Sequence, residues 1–341
     1  MKKLNLLKLS LVIPAIALLT GCNKQHANVG LLYCSAEANS LYQVNKVKEE
    51  LEKKNISTKM ISFSDSNDIQ SVLSGNIKDV DTLYIPTDNT CASNSEIINN
   101  LVRANNKPVF AGEEGICKGC GAITLSISYY NIGVETGRMA IDILLEKSSI
   151  STMPIKYDTN PVKKYNKSFC DAVNISVPDD YVEINAESGS GANPLDAVTF
   201  ENSENKHFSI GVSQLVTHEA LDAATQGFVD AVKKGLGESN VSIDIQNATG
   251  QTDLCSTIAN NFVAHNVDLI MANATPALQA AANATRSIPI LGTSVTEYGV
   301  ALGIQDFDGI VGGNISGTSD LAPLVTQAEM LVDVFKDFMS K

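Results

Sequence analysis

The sequence predicts an α/β fold: two doubly wound, Rossmann-like lobes built on parallel sheets. Three observations predict it. Short apolar, β-branched runs alternate with amphipathic helical stretches in two separate regions. Strands that are apolar along their whole length belong to sheets covered on both faces. A stretch rich in Gly, Ser, Asn and Pro, 185–206, divides the two regions, and 341 residues are too many for one small core.

In the first region, 29–33 reads as a buried strand. The stretch 40–53 follows as a helix, with Leu41, Val44, Val47 and Leu51 at helical spacing. Strands are expected at 58–63, 82–85 and 108–111, with helices from 69 and over 93–104. An apolar strand at 121–127 and a helix over 131–146 complete this half. The second region repeats the grammar. Strands are expected at 208–212, 241–246, 268–272 and 288–291, and helices over 220–234, 253–264 and 276–285. A run at 310–317 then leads into a helix over 322–339.

The N-terminus sets the expected compartment. Lys2, Lys3 and Lys8 precede a run, 9–19, too short to span a bilayer comfortably, which ends Leu19-Thr20-Gly21-Cys22. This resembles a bacterial lipobox, so 1–21 is expected to be a signal peptide, Cys22 the lipidated residue and 22–26 a tether. The formal charge is −13 and no sustained Lys/Arg cluster occurs, which argues against nucleic acid as a partner. Of seven Cys, six remain once Cys22 is lipidated. Their apolar contexts and scattered spacing predict packed, free thiols rather than a disulfide framework. Cys117-Lys118-Gly119-Cys120 has metal or redox spacing but no second ligand pair, and reads as small residues on a Gly-rich turn.

Enzyme signatures are absent. Of four His, only His218 stands at a strand-to-helix junction, and no nucleophile elbow, P-loop, His-Glu-x-x-His or Gly-x-Gly-x-x-Gly motif occurs. Open parallel sheets bind ligands beyond the carboxyl ends of their strands, where helix N-termini present free N–H groups. The junctions here carry Ser, Thr, Asn, Asp and Glu. Each residue is also an ordinary cap or turn former; as a set they suit a zwitterion, with hydroxyls for a carboxylate and an acid for an ammonium.

Several of these stretches resemble one family of ABC-transporter substrate-binding proteins, the tryptophan- and tyrosine-type members with a type I periplasmic-binding fold. The resemblance rests on Ser213-Gln214-Leu215-Val216-Thr217-His218-Glu219-Ala220-Leu221-Asp222, on Ala274-Thr275-Pro276-Ala277 and on Ser316-Gly317-Thr318-Ser319-Asp320. In the first region it rests on Glu37-Ala38-Asn39-Ser40, Pro86-Thr87-Asp88-Asn89-Thr90, Gly112-Glu113-Glu114-Gly115 and Tyr129-Tyr130-Asn131-Ile132-Gly133. The two halves stand in exchanged order relative to the family, which resembles a circular permutation, natural or engineered. A flexible 185–206 segment spans on the order of 25 Å, enough to join surface termini.

The resemblance implies hinge closure on a small molecule, with no cofactor or metal and delivery to a permease and its ATPase. An aromatic amino acid is the first expectation, a branched or other small one the second, and a monomer is expected. The ligand-binding residues it implies are Ser213, Gln214, Thr275, Thr293 and Ser294 from one lobe. From the other they are Glu37, Asn39, Ser40, Thr87, Asp88, Thr90, Glu114 and Asp320, with Asp88 and Asp320 the leading ammonium partners. Tyr129, Tyr130 and Tyr298 are available for ring packing. In this reading 27–184 is one half, with 27–117 as a lobe and 121–180 packing largely on the other. The second half is 207–341, with 207–305 as the other lobe and 318–341 packing on the first. An enzyme on this fold, a ligand-sensing receptor subunit and an engineered permuted scaffold stay open as alternatives.

Overall fold

The computed structural model describes residues 27–184 and 193–339. Cys22, the signal segment and 185–192 lie outside them. In chain order, β1 (Ala27–Cys34), α1 (Ala38–Lys53), β2 (Thr58–Phe63), α2 (Ile69–Asn76) and β3 (Val80–Ile85) open the first lobe. It continues through α3 (Asn89–Ser93), α4 (Ser95–Ala104), β4 (Val109–Ala111), α5 (Glu114–Cys120) and β5 (Ile123–Ser126). The chain then crosses to the second lobe with α6 (Tyr129–Leu144) and β6 (Lys156–Tyr157). It returns with β7 (Val162–Tyr165), α7 (Lys167–Val173) and β8 (Val182–Glu183). The second lobe is completed by β9 (Phe208–Gln214), α8 (Glu219–Leu236), β10 (Val241–Asn247), α9 (Thr252–Ala264) and β11 (Leu269–Asn273). α10 (Thr275–Ala284), β12 (Ile290–Thr293), α11 (Tyr298–Leu302) and β13 (Ile315–Ser319) follow. The last helix, α12 (Leu324–Phe335), packs back on α1 of the first lobe.

The first sheet runs β2-β1-β3-β4-β5-β7-β8 and the second β10-β9-β11-β12-β13-β6. Every pairing in both is parallel except β5 with β7. The central strands β3 and β11 are buried at every residue, as a sheet with helices on both faces requires. Leu31, Leu83, Phe110 and Ile123 core the first lobe with α12's Leu331 and Phe335. Apolar residues of β9, β11 and β12 core the second.

The second half of the first region departs from the expectation for 121–180. β5, β7, α7 and β8 belong to the first sheet, and only α6 and β6 cross over. β5 pairs with β4 on one edge and antiparallel β7 on the other, and Phe169 and Cys170 of α7 are buried in the first lobe's core. The described part of the expected linker is not free chain. Val198 is buried in the second lobe's core, and Asn202 donates to the Leu236 carbonyl at the end of α8. That carbonyl lacks a partner within its own helix, so a side-chain amide fixes the segment there.

Among the described residues, three crossings join the lobes: 127–128, 158–161 and 320–323. They are tied to each other. Ser128 N donates to Asp158 Oδ2 at 3.0 Å and Tyr129 Oη to Asp320 Oδ2 at 3.0 Å. α12 is locked to the strand ends beneath it by Gln327. Its Nε2 donates to the Gly112 and Leu125 carbonyls, and its Oε1 accepts from Tyr84 Oη at 2.8 Å. Gln327→Leu leaves three buried polar groups unpaired, each worth about 1–3 kcal/mol. A clear drop in melting temperature by calorimetry is the expected result, and an unchanged value refutes this role.

Candidate functional site

Both sheets present their carboxyl ends to the gap between the lobes. There an interlobe pocket is lined from the first lobe by Asn39, Thr87, Asp88, Asn89, Ala92 and Glu113. Tyr129 and Asp320 line it from the crossings, and His218, Leu221 and Ser294 from the second lobe. Each polar residue lies within about one helical turn past the carboxyl end of a strand, where the chain turns into a helix or crossing. The pocket is open to the centre of a water molecule over only about 10 Å³, about the least that holds one water. The lobes are therefore drawn together, and any larger ligand needs them to part. A wider groove of about 330 Å³ adjoins through Asn89, between Cys34, Glu37, Ser64 and Thr90 of the first lobe and Leu215, Val216, Thr249 and Thr252 of the second.

Three of the first-lobe carboxylates are helix caps. Asp88 Oδ1 accepts from Cys91 N at 2.8 Å and Oδ2 from Cys34 N at 2.7 Å. Glu37 accepts from Asn89 N, Asn89 Nδ2, Thr90 N and Thr90 Oγ1. Together they satisfy the first three N–H groups of α3, the end of a helix that favours negative charge. Glu113 does the same for α5, accepting from Gly115 N and Ile116 N. Burial pushes the carboxyl of Asp88 up to about 7, with the charge of Glu37 adding to it. Burial likewise pushes Glu113 up to about 7.

Asp320 differs. It is 3% exposed; Oδ2 accepts from Tyr129 Oη, and the Thr296 hydroxyl also bears on the carboxyl. Oδ1 is sealed from solvent with no hydrogen-bond partner. Burial raises its carboxyl above the usual aspartate range. Three more pocket atoms are buried and unpartnered: Asn39 Oδ1, His218 Nδ1 and Ser294 Oγ. Buried polar atoms are nearly always paired, so four orphans around one small space mark a place prepared for a polar ligand. Ser294 has φ +52°, a left-handed conformation that non-glycine residues seldom adopt and that gathers at binding sites. Among the described residues, no Lys or Arg lines the pocket.

Of the thirteen residues the sequence singled out, Asn39, Thr87, Asp88, Ser294 and Asp320 line the pocket. Glu37 and Thr90 line the adjoining groove. Ser40 is buried behind Thr87, its hydroxyl facing the Thr87 carbonyl. Five do not reach the pocket. Gln214 is consumed by Thr225, Val216 and Asp222. Thr293 bonds Thr318, which also meets Thr136 and so ties α6 to β13. Ser213 and Thr275 are buried at the ends of the second sheet's strands, outside the pocket lining. Glu114 points away and pairs with Lys164 at 2.5 Å.

Among the aromatic candidates, Tyr130 bonds Asp230 and Tyr298 the Thr318 carbonyl; Tyr129 alone lines the pocket. Sequence reasoning missed Glu113, Asn89, Ala92 and Leu221, and left His218 off the site although it flagged that junction. The Cys-x-x-Cys pair lies in α5 rather than on a turn, with both thiols free and buried. No metal-holding cluster occurs among the described residues.

The profile of ABC transporter substrate binding proteins matches residues 9–187 and 209–339, and this chain belongs to that family. Its fold is the type I periplasmic-binding fold. A carbohydrate transporter solute-binding protein from Agrobacterium radiobacter, solved with D-arabinose, aligns over 92% of this chain and 88% of its own at TM-score 0.58 and 10% identity. A periplasmic component of an ABC-type sugar transport system from Hahella chejuensis aligns over 91% and 92% at TM-score 0.56 and 11% identity. In sequence, a tyrosine-binding protein from Clostridioides difficile strain R20291 is 43% identical over 128 residues. That is 37% of this chain and 37% of the relative, so the match spans just over a third of that protein. Substrate-binding proteins of ABC transporters work outside the cytoplasm. No helix among the described residues is long and apolar enough to cross a membrane.

Proposed function

We propose that this chain captures an aromatic amino acid between its lobes and delivers it to an ABC permease and its ATPase, held at the membrane by lipid on Cys22. The observation that carries the ligand class is the convergence of Asn39 Oδ1, His218 Nδ1, Ser294 Oγ and Asp320 Oδ1 on one interlobe pocket with carboxylates and no cation. Acceptors and negative charge outnumber donors there, which suits a ligand led by an ammonium. Asp320 is its counter-charge. The 43% identity over 128 residues to a tyrosine-binding protein supports an aromatic side chain, with Tyr129 and Leu221 as apolar surfaces of the pocket.

The mechanism is hinge closure about the crossings at 127–128, 158–161 and 320–323. Ligand enters the parted lobes, and closure completes its contacts and excludes water. Two contacts already span the gap. Lys118 pairs with Glu219 at 2.9 Å, and His218 Nε2 lies 3.2 Å from Asn89 Oδ1. The exposed ion pair is worth at most about 1 kcal/mol, so closure depends on the ligand's own contacts. We read the two halves as a circular permutation of the family order; a curated match confined to 37% of each chain is what one half aligning alone would give.

The test is calorimetric titration of the purified chain with the twenty amino acids and D-arabinose. Heat with tyrosine, tryptophan or phenylalanine, and none with D-arabinose, is the expected result. Binding of D-arabinose alone overturns the proposal.

A further inference from the structure

We infer that His218 is a ligand-contacting specificity residue, its bare Nδ1 accepting one of the three hydrogens of a primary ammonium beside Asp320 Oδ1 and Asn39 Oδ1. The inference rests on the amine reading above and goes beyond it by saying which amines fit. It starts at Glu37, whose oxygens face four N–H and O–H donors. One donor is Asn89 Nδ2, at 2.7 Å. A carboxylate surrounded in this way acts only as an acceptor, so the Asn89 amide is oriented with nitrogen toward Glu37 and oxygen away. That oxygen, Asn89 Oδ1, lies 3.2 Å from His218 Nε2. An amide oxygen cannot donate, so Nε2 carries the ring hydrogen. His218 is neutral, since burial lowers its pKa to about 4. Nδ1 is then an unprotonated lone pair.

Nδ1 is sealed from solvent, lacks any protein donor and lines the pocket. The backbone of His218 caps α8, but its side chain makes no cap bond; the ring is turned into the cleft instead. Asn39 is fixed in the same way. Its Nδ2 donates to the Thr87 carbonyl at 3.0 Å, which turns the orphan Oδ1 to the pocket. Three oriented acceptors thus share one small space, and each is on a different body: Asn39 on the first lobe, His218 on the second and Asp320 on a crossing. A group with three diverging hydrogens engages all three only when both lobes close onto it, so the same contacts that read the ammonium also report closure around the ligand.

The test is a cycle of variant against ligand methylation, using L-tyrosine, N-methyl-L-tyrosine and N,N-dimethyl-L-tyrosine as probes in titration calorimetry on the whole chain. For the wild type each methyl should weaken binding about 10-fold or more, the scale of a hydrogen bond to a charged group. His218→Phe, which keeps a ring and removes the acceptor, should weaken L-tyrosine about 10-fold or more and shrink the penalty of the first methyl, a coupling that a merely structural role does not produce. His218→Asn places an amide oxygen near the Nδ1 position and should bind within a few-fold of wild type, which keeps the question decidable if the Phe variant folds poorly. Equal affinity of His218→Phe and wild type for L-tyrosine, or equal methyl penalties in the two, overturns the inference and leaves the amine reading standing. No heat from the wild type with L-tyrosine, L-tryptophan or L-phenylalanine overturns both; if only another of the three binds, its own N-methyl series takes the place of the tyrosine probes.

Discussion

Asp320→Asn is expected to weaken amino-acid binding about 100-fold or more while leaving the protein folded. The substitution keeps size and shape, and the amide oxygen still accepts from Tyr129 Oη where Oδ2 does now. What it removes is charge at Oδ1, the one pocket carboxylate oxygen without a partner. Asp88, Glu37 and Glu113 cannot replace it, because their oxygens are held by the backbone of β1, α3 and α5. A buried ammonium facing an amide instead of a carboxylate loses about 2–5 kcal/mol, hence the large factor. Stability should move the other way. Burial raises the carboxyl of Asp320 in the folded state, so this group favours folding most below its unfolded pKa, and that contribution is lost as pH rises through the folded value. Asn has no such loss. The variant should therefore gain in melting temperature relative to wild type as pH rises above the unfolded aspartate range. Unchanged affinity, measured by calorimetry, would sink the ammonium assignment whatever the melting curves show.

The way this site was partly legible follows from where its information lies. Strand ends in a doubly wound sheet must face a common edge, so Thr87, Asp88, Ser294 and Asp320 could be placed from strand positions alone. Which neighbour at a turn points inward could not. Glu113 and Glu114 are adjacent and chemically alike. The first curls back to cap α5 and enters the pocket, and the second reaches out to Lys164. That one-residue choice is made by the helix start. α5 itself was hidden because its seven residues hold two glycines and two cysteines, poor helix formers; burial of Ile116, Cys117 and Cys120 overrides that propensity. β6, β7 and β8 are two to four residues long and half exposed, so no run of apolar residues announced them. Their existence depends on a chain that crosses between lobes and returns, a tertiary fact that local periodicity does not carry. The long buried strands β1, β9 and β11 had no such competitor and read through directly.

The interface that holds the two halves together supplies the second large effect. α6 comes from the first half of the chain and α8 from the second, and they cross backbone to backbone. A Cβ added at Gly133 would stand 2.8 Å from the Ala224 carbonyl carbon and closer still to its oxygen. One added at Gly227 would stand 3.0 Å from Val134 N, and one at Gly137 2.6 Å from Ala231 Cβ. Small residues on both helices are what permits this approach. Overpacking a core against side chains costs about 1–3 kcal/mol; here backbone is the obstacle, and a helix axis must move to yield. Gly133→Ala and Gly227→Ala are each expected to cost about 3 kcal/mol or more, and less than the sum when combined, because the first shift relieves the second clash. Ordinary helix propensity says the opposite, since Gly→Ala inside a helix gains about 1 kcal/mol. Gly75 in α2 provides that comparison: a Cβ there meets nothing within 4 Å, so Gly75→Ala should raise the melting temperature while the other two lower it. If all three raise it, the close crossing of α6 and α8 is not present in solution, and the second lobe is not assembled from both halves of the chain.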